Sequence, residues 1–314
     1  MRVFVAGASG AIGSRLVPQL IRAGHQVIGT CHSPENAERI RAMGAEAVAL
    51  DLLDARAVRT AVLESKPDAI VHQATALANA KFGRHLDRTF APTNRLRNEG
   101  TDALLAAAAD AGVRRFVAQS FACYRYARTG GPVKTEEDPL DPAPVAGTEE
   151  TNAAMRHLDV AVTAAGGIAL RYGGFYGDAS DGLIGPVRKR MFPVVGNGGG
   201  VMSFIHLDDA AAATVIALQH DGPGIYNIVD DEPAPTSVWL PELAKALGAK
   251  PPRHMPTWIV RLIAGEGGVV MGTESRGASN AKAKRELGLS LRYPSWRTGF
   301  VAVYASSKPV LQTA

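Results

Sequence analysis

Near the start of the chain, Gly7-Ala8-Ser9-Gly10-Ala11-Ile12-Gly13 spaces three glycines behind the apolar run Val3 to Ala6. In that spacing Gly7 permits a tight turn, Gly10 leaves room for a pyrophosphate against the backbone, and Gly13 lets a helix pack closely on a strand. A helix beginning near Ile12 would turn free amides and a positive dipole end toward the phosphates, with Ser9, Ala11 and Ile12 lining the loop. The chemistry expected of the first thirty residues is binding of a nicotinamide dinucleotide.

The second apolar run ends in Thr30-Cys31-His32-Ser33. No carboxylate stands there to bond the ribose hydroxyls of NAD, whereas His32 and Ser33 can donate to a 2′-phosphate. NADP is therefore the expected cofactor, with NAD as the alternative. The third run ends in Asp51-Leu52, placed to meet the adenine edge, although Asp51 could equally cap the next helix.

These groups need a scaffold that brings strand ends together. Short apolar runs at Val3 to Ala6, Gln26 to Gly29, Ala47 to Leu50, Ala69 to His72, Phe116 to Gln119 and Ile168 to Arg171 alternate with helical stretches starting near Ile12, Pro34, Ala55, Asn98 and Thr151. Apolar runs without alternation belong to strands buried on both faces. The pattern predicts an α/β fold with a doubly wound parallel Rossmann sheet. Residues 129 to 147, rich in Pro, Gly and acidic groups, read as a surface loop. Beyond Arg171 the character changes, and a smaller, sequence-interleaved C-terminal substrate lobe is expected. The division is 1–171 plus about 203–230 for the dinucleotide domain, about 172–202 plus 231–300 for the lobe, and 301–314 as a tail.

Composition sets the outer limits. The 314 residues are 46% hydrophobic and 20% charged with a formal charge of +4, as in ordinary globular proteins. The longest basic cluster, Arg188-Lys189-Arg190, is too short to argue for nucleic acid or membrane binding. Two cysteines, Cys31 and Cys123, make neither a disulfide framework nor a metal site, and no metal is expected. A strand at the first residues leaves no space for a signal peptide, and no apolar run is long enough to span a bilayer, so a cytoplasmic protein is expected. Its partner would be a small-molecule substrate, with a homodimer left open.

The stretches GASGAIG (7–13), DL (51–52), HQAT (72–75), EGTDALLAAAADAGVRRFVAQS (99–120), LRYGGFYG (170–177), FIHLDDAAAA (204–213) and NAKAKRELG (280–288) resemble the extended short-chain dehydrogenase/reductase family, the group of NAD-dependent epimerases and dehydratases. The resemblance covers nearly the whole chain. It implies that Gln73, Ala74 and Thr75 line the ribose and pyrophosphate, and that Tyr172, Gly173, Gly174 and Phe175 form the turn meeting the nicotinamide carboxamide. It also implies that Ser120 bonds a substrate carbonyl.

The sequence departs from the family where chemistry matters most. Aligning back from Leu158-Asp159 and Leu170-Arg171 puts Thr151 and Met155 at the positions of the catalytic Tyr-x-x-x-Lys pair. Neither supplies the proton or the charge that lowers a tyrosine pKa. Of the seven tyrosines, only Tyr304 has a lysine, Lys308, at the right spacing, and that pair lies at the C-terminus. The family's active-site Asn position holds Arg97, with Asn94 and Asn98 as neighbours. Tyr124, four residues past Ser120, is the leading relocated acid, and Tyr176 the second. The resemblance implies an NAD(P)-dependent oxidoreductase acting on a small carbonyl-containing metabolite. A non-redox isomerase, dehydratase or cyclase, and a noncatalytic dinucleotide sensor, remain as alternatives.

Overall fold

The computed structural model describes residues 1–77, 86–177 and 182–305. Its main sheet has seven strands, numbered here in chain order: β1 (Arg2–Ala6), β2 (Gln26–Cys31), β3 (Glu46–Ala49), β4 (Ala69–His72), β5 (Arg115–Phe121), β7 (Ile168–Tyr172) and β12 (Gly224–Ile228). They lie in the order β12-β7-β5-β4-β1-β2-β3, and all pair in parallel. The winding direction reverses between β1 and β4, which opens a crevice at the carboxyl ends of those two strands.

The central strands are covered on both sides, which explains their apolar sequences, whereas the edge strand β3 has no fully buried residue. In β1, Val3 and Val5 face one core with Leu16, Val17 and Leu20 of α1 (Gly13–Arg22) and Ala210 and Ala213 of α8 (Leu207–Ala217). Phe4 and Ala6 face the other core with Val58 and Val62 of α3 (Ala55–Ser65), Leu104 of α5 (Thr101–Asp110), and Leu158 and Val162 of α6 (Glu149–Ala164). The remaining helix of this half, α2 (Pro34–Ala42), buries Ala37 and Ile40.

One element differs from expectation. The helix predicted to start near Asn98 begins instead at Leu86, as α4 (Leu86–Arg95), and runs through a π-turn at Leu96–Gly100 into α5. Pro92 and Gly100 hide this continuity, because each reads as a helix breaker.

A third core, built on Tyr176, Phe204, Trp239, Trp296 and Phe300, belongs to the smaller part of the molecule. It is framed by α7 (Ile184–Arg188), α9 (Thr236–Ala246), α10 (Thr257–Thr273) and α11 (Trp296–Tyr304), with four small strand pairs. These are β8 (Gly174–Tyr176) with β11 (Phe204–His206), β9 (Val194–Val195) with β14 (His254–Met255), β10 (Val201–Met202) with β13 (Ala234–Pro235), and β6 (Val133–Lys134) with β15 (Gly277–Ala278). Ala283, Leu287 and Leu289, expected in the lobe, pack into the core of the main sheet. The expected tail from 301 overlaps α11, and residues 306–314 lie outside the described residues. No helix among the described residues is long and apolar enough to cross a membrane.

Candidate functional site

At the nucleotide end, each glycine of the loop after β1 has a separate steric reason. Gly7 has φ +88°, and a Cβ on it would lie 2.7 Å from Ala74 N; a Cβ on Gly13 would lie 2.3 Å from Gly7 O. A Cβ on Gly10 would meet only Gly7 O, at 3.3 Å, and otherwise open space. The amides of Ala11 and Ile12, just before α1, donate to no acceptor among the described residues. Unpaired amides beside an open backbone fit a dinucleotide pyrophosphate. Ser9 is half-buried in the same loop, and Ile12 turns its side chain into the core. Arg15, which sequence reasoning passed over, donates to Ala11 O at 3.0 Å and to Gly177 O at 3.0 Å, tying this loop to the smaller lobe.

The next positions come out unevenly. His32 is exposed at the end of β2. Ser33 caps α2 by accepting from Asn36 N at 3.3 Å, and its hydroxyl also holds the Glu35 carboxyl below the ordinary range. A carboxylate thus stands two residues beyond the stretch in which none was found. Asp51 accepts from Leu53 N at 2.9 Å and stays exposed, while the cap of α3 is Asp54, which accepts from Arg56 N and Ala57 N, both at 3.0 Å. Leu52 is buried in the core, so its side chain cannot meet an adenine.

Gln73 and Tyr172 also turn inward. Gln73 Nε2 donates to Tyr172 Oη at 3.3 Å, and Tyr172 Oη bonds Thr214 Oγ1 at 2.6 Å. Burial pushes the Tyr172 phenol up to about 12. Only the backbone of these two residues can border the crevice. Ala74 and Thr75 are half-buried after β4; Gly173 N donates to Ile228 O at 3.1 Å, and the half-buried Phe175 ring lies 5.5 Å from that of Tyr172.

At the substrate end, two strands over, the chemistry is charged. Ser120, in β5, pairs in register with Arg171 of β7. Its Oγ accepts from Arg125 Nη1 at 3.0 Å. Arg125 and Arg171 both reach Asp159 Oδ2 of α6, through Nη2 atoms at 2.8 and 2.7 Å. Arg171 Nη1 donates to Tyr126 Oη at 3.1 Å, and Tyr126 donates to Asn227 Oδ1 at 2.7 Å. Asp159 lies two turns beyond Thr151 on one face of α6, with Met155 between them, and all three are buried.

Thr151 is held at the start of that helix by an unexpected partner. Asp87 of α4 accepts from Glu150 N at 3.2 Å, Thr151 N at 2.8 Å and Thr151 Oγ1 at 2.7 Å, capping α6 from a neighbouring helix. Thr151 Oγ1 accepts in turn from Asn94 Nδ2 at 3.1 Å, and Asn94 Oδ1 accepts from Arg97 at 3.3 Å. Since Thr151 spends its single hydrogen on Asp87, it has none for a ligand. Ser120, whose oxygen is an acceptor for Arg125, keeps its own.

Tyr124 does not have the surroundings of a general acid. Its hydroxyl meets Met202 Sδ at 3.5 Å, and burial pushes the phenol up, away from neutrality. Its φ of +61° is the left-handed region, so the loop after β5 is strained there. Tyr176 is buried, and burial followed by Asp230 and Asp209 raises its phenol as well. Tyr304 Oη accepts from Gly177 N at 3.5 Å, while Lys308 lies outside the described residues. No group of three metal-ligating side chains occurs among the described residues.

This architecture has known counterparts. The family described as the NAD dependent epimerase/dehydratase family matches residues 3–229. Among curated proteins, a 3-diazoavenalumate denitrifying reductase of Streptomyces sp is 40% identical over 307 residues, covering 95% of this chain and 99% of that protein. A 2-alkyl-3-oxoalkanoate reductase of Stenotrophomonas maltophilia is 28% identical over 267 residues, covering 79% and 76%. Among solved structures, the UDP-glucose 4-epimerase of Thermotoga maritima superposes with TM-score 0.76 at 21% identity, over 97% of both chains. That of Thermus thermophilus, in complex with NAD, gives 0.72 at 24% identity over 98% of both.

Proposed function

The chain belongs to the NAD-dependent epimerase/dehydratase family, and on that premise we propose that it is an NAD(P)-dependent reductase of a small carbonyl-containing metabolite. When bound, the reduced nicotinamide would supply two electrons and a hydrogen to the substrate. The chain's own part is to hold the substrate oxygen and steady the charge that gathers on it. One observation carries this reading: the Ser120 hydroxyl, backed by Arg125, retains its hydrogen, while Thr151 gives its own to Asp87. An epimerase or dehydratase must take a proton from its substrate and return one, which calls for a group that titrates near neutrality. The tyrosine candidates are shifted the other way, whereas a one-way reduction needs a donor to hold the oxygen and one proton drawn from water to complete the hydroxyl.

In this reading Ser120 is the catalytic residue, and Tyr124 shapes the cleft wall. Gly7, Gly10 and Gly13 with the Ala11 and Ile12 amides hold the pyrophosphate. The lack of a carboxylate in 30–33 supports NADP, and Glu35 opposes it. The relatives named as reductases support the reaction class. The name of the 40% identical relative favours a second reading, in which the reduced group is a diazo rather than a carbonyl.

The test is NADPH consumption with a panel of oxo acids, aryl ketones and diazo-arenes, read alongside product analysis. Cofactor oxidation matched one to one by reduced product is the expected result. Substrate conversion at constant NADPH would replace this reading with an isomerase, and cofactor binding without turnover on any compound would replace it with a sensor.

A further inference from the structure

Three guanidinium groups are gathered behind Ser120, and the chain supplies one carboxylate among them. Arg97, Arg125 and Arg171 are 7%, 1% and 3% exposed, and Asp159 is 2% exposed. Asp159 is already shared by Arg125 and Arg171. Among the described residues, Arg97, in the π-turn between α4 and α5, has no carboxylate at ion-pair distance and a single hydrogen bond, to the neutral Asn94 side chain. Burial, then the neighbouring Arg125, lowers Arg97 to about 10 against the opposing pull of Asp159; a guanidinium keeps its proton in a protein, so all three arginines carry charge at neutral pH. The four side chains therefore carry two more positive charges than negative ones.

A buried cation without a counter-charge is expensive to maintain, and is usually relieved by pairing. Two further carboxyls border the cluster: Asp87, which Arg97 reaches only through Asn94 and Thr151 and which caps α6, and Glu136, whose Oε1 is taken by Asn227 N at 2.6 Å and whose pKa burial raises. The cofactor's phosphates belong at the glycine loop after β1, about 10 Å away across two strand spacings. Ser120 adds a donor: its oxygen accepts from Arg125, and its own hydrogen has no acceptor among the described residues. Asn94, Arg97 and Thr151 form one chain of contacts and Ser120 with Arg125 another.

We propose that this cationic cluster seats an organic oxyanion of the substrate, a carboxylate or enolate oxygen, on the Ser120 hydroxyl, with Arg97 and Arg125 as the residues that select for its charge. The inference rests on the cleft being the substrate site, but not on the reaction being a reduction. The direct contact is the Ser120 O–H, and the guanidiniums act through it and through their field, which is strong where water is excluded.

Calorimetric titration with benzoate and its neutral isostere benzamide, on protein saturated with NADP, tests this without turnover. Benzoate should bind at least about tenfold more tightly, as expected for one charge-assisted hydrogen bond. Arg97→Met breaks no ion pair and so should fold; it should remove most of the benzoate preference while leaving the affinity for NADPH unchanged. Arg125→Lys, which keeps the charge, should retain the preference. Absence of discrimination between the two probes, including binding of neither, overturns the proposal, as does an undiminished preference in Arg97→Met. Benzoate selectivity in a protein that oxidises no NADPH would sink the reductase reading and leave this one standing. NADPH turnover without benzoate selectivity would do the reverse.

Discussion

The two ends of the crevice are built on opposite principles. At the β1 end the site is made of missing atoms: Gly7, Gly10 and Gly13 work because no side chain is there, and Arg15 braces the turn from outside through the Ala11 carbonyl. At the β5 end it is made of charge, with Arg97, Arg125, Arg171 and Asp159 buried around one serine hydroxyl. The first end tolerates no added volume, and the second tolerates no lost partner. A dinucleotide common to a whole family can be met by backbone alone, whereas a particular substrate has to be met by side chains that differ between members.

The contrast can be broken most severely at Asp159. Asp159→Ala leaves Arg125 and Arg171 without their shared counter-charge and should cost about 3–5 kcal/mol of stability. Denaturant unfolding measures this; a loss below 1 kcal/mol would mean that water already screens the cluster. Ser120→Ala should lower turnover by about 10²–10³-fold, the loss expected for one donor to a developing oxyanion, with NADPH affinity unchanged. Tyr124→Phe in the same assay should change turnover by less than about threefold, since only a thioether contact is lost.

At the other end, Gly13→Ala should cost about 1–3 kcal/mol through backbone collision, visible as a lower melting temperature. Gly10→Val should leave the melting temperature nearly in place and abolish dinucleotide binding. If both variants behave alike, the division between packing and binding glycines is wrong. The smallest effect concerns the cofactor: NADPH should bind about tenfold more tightly than NADH, and Glu35→Gln should widen the gap. Equal affinities in titration would remove the NADP preference.

How much of this was legible in the sequence follows the same division. The glycine loop and six of the seven main strands rest on rules that act within a few residues, so 7–13 and those apolar runs could be read directly, whereas β12 was not among them. The charged end joins Asp87, Asn94, Arg97, Ser120, Arg125, Thr151, Asp159 and Arg171 from five elements, and nothing local links them. The continuous helix through α4 was hidden by Pro92, and the cap on Thr151 comes from Asp87, 64 residues earlier. A signal was present all the same. Arg125 in FACYRYA, Arg171 in IALRYGG and Asp159 in HLDVAV are lone charges inside apolar stretches, which are paired when they are buried.

The shared face of α6 has a consequence for how such an enzyme could change. Placing Tyr and Lys at 151 and 155 would put a new ammonium into a region that already holds two positive charges in excess, and would displace the hydroxyl that Asp87 grips at the helix start. The two arrangements are thus epistatic. Room for a new ammonium would first require the removal of a guanidinium, and Arg97, which breaks no ion pair when lost, is the one that can go. Two substitutions alone therefore do not exchange one arrangement for the other; the order in which charges leave and enter decides which steps keep the fold.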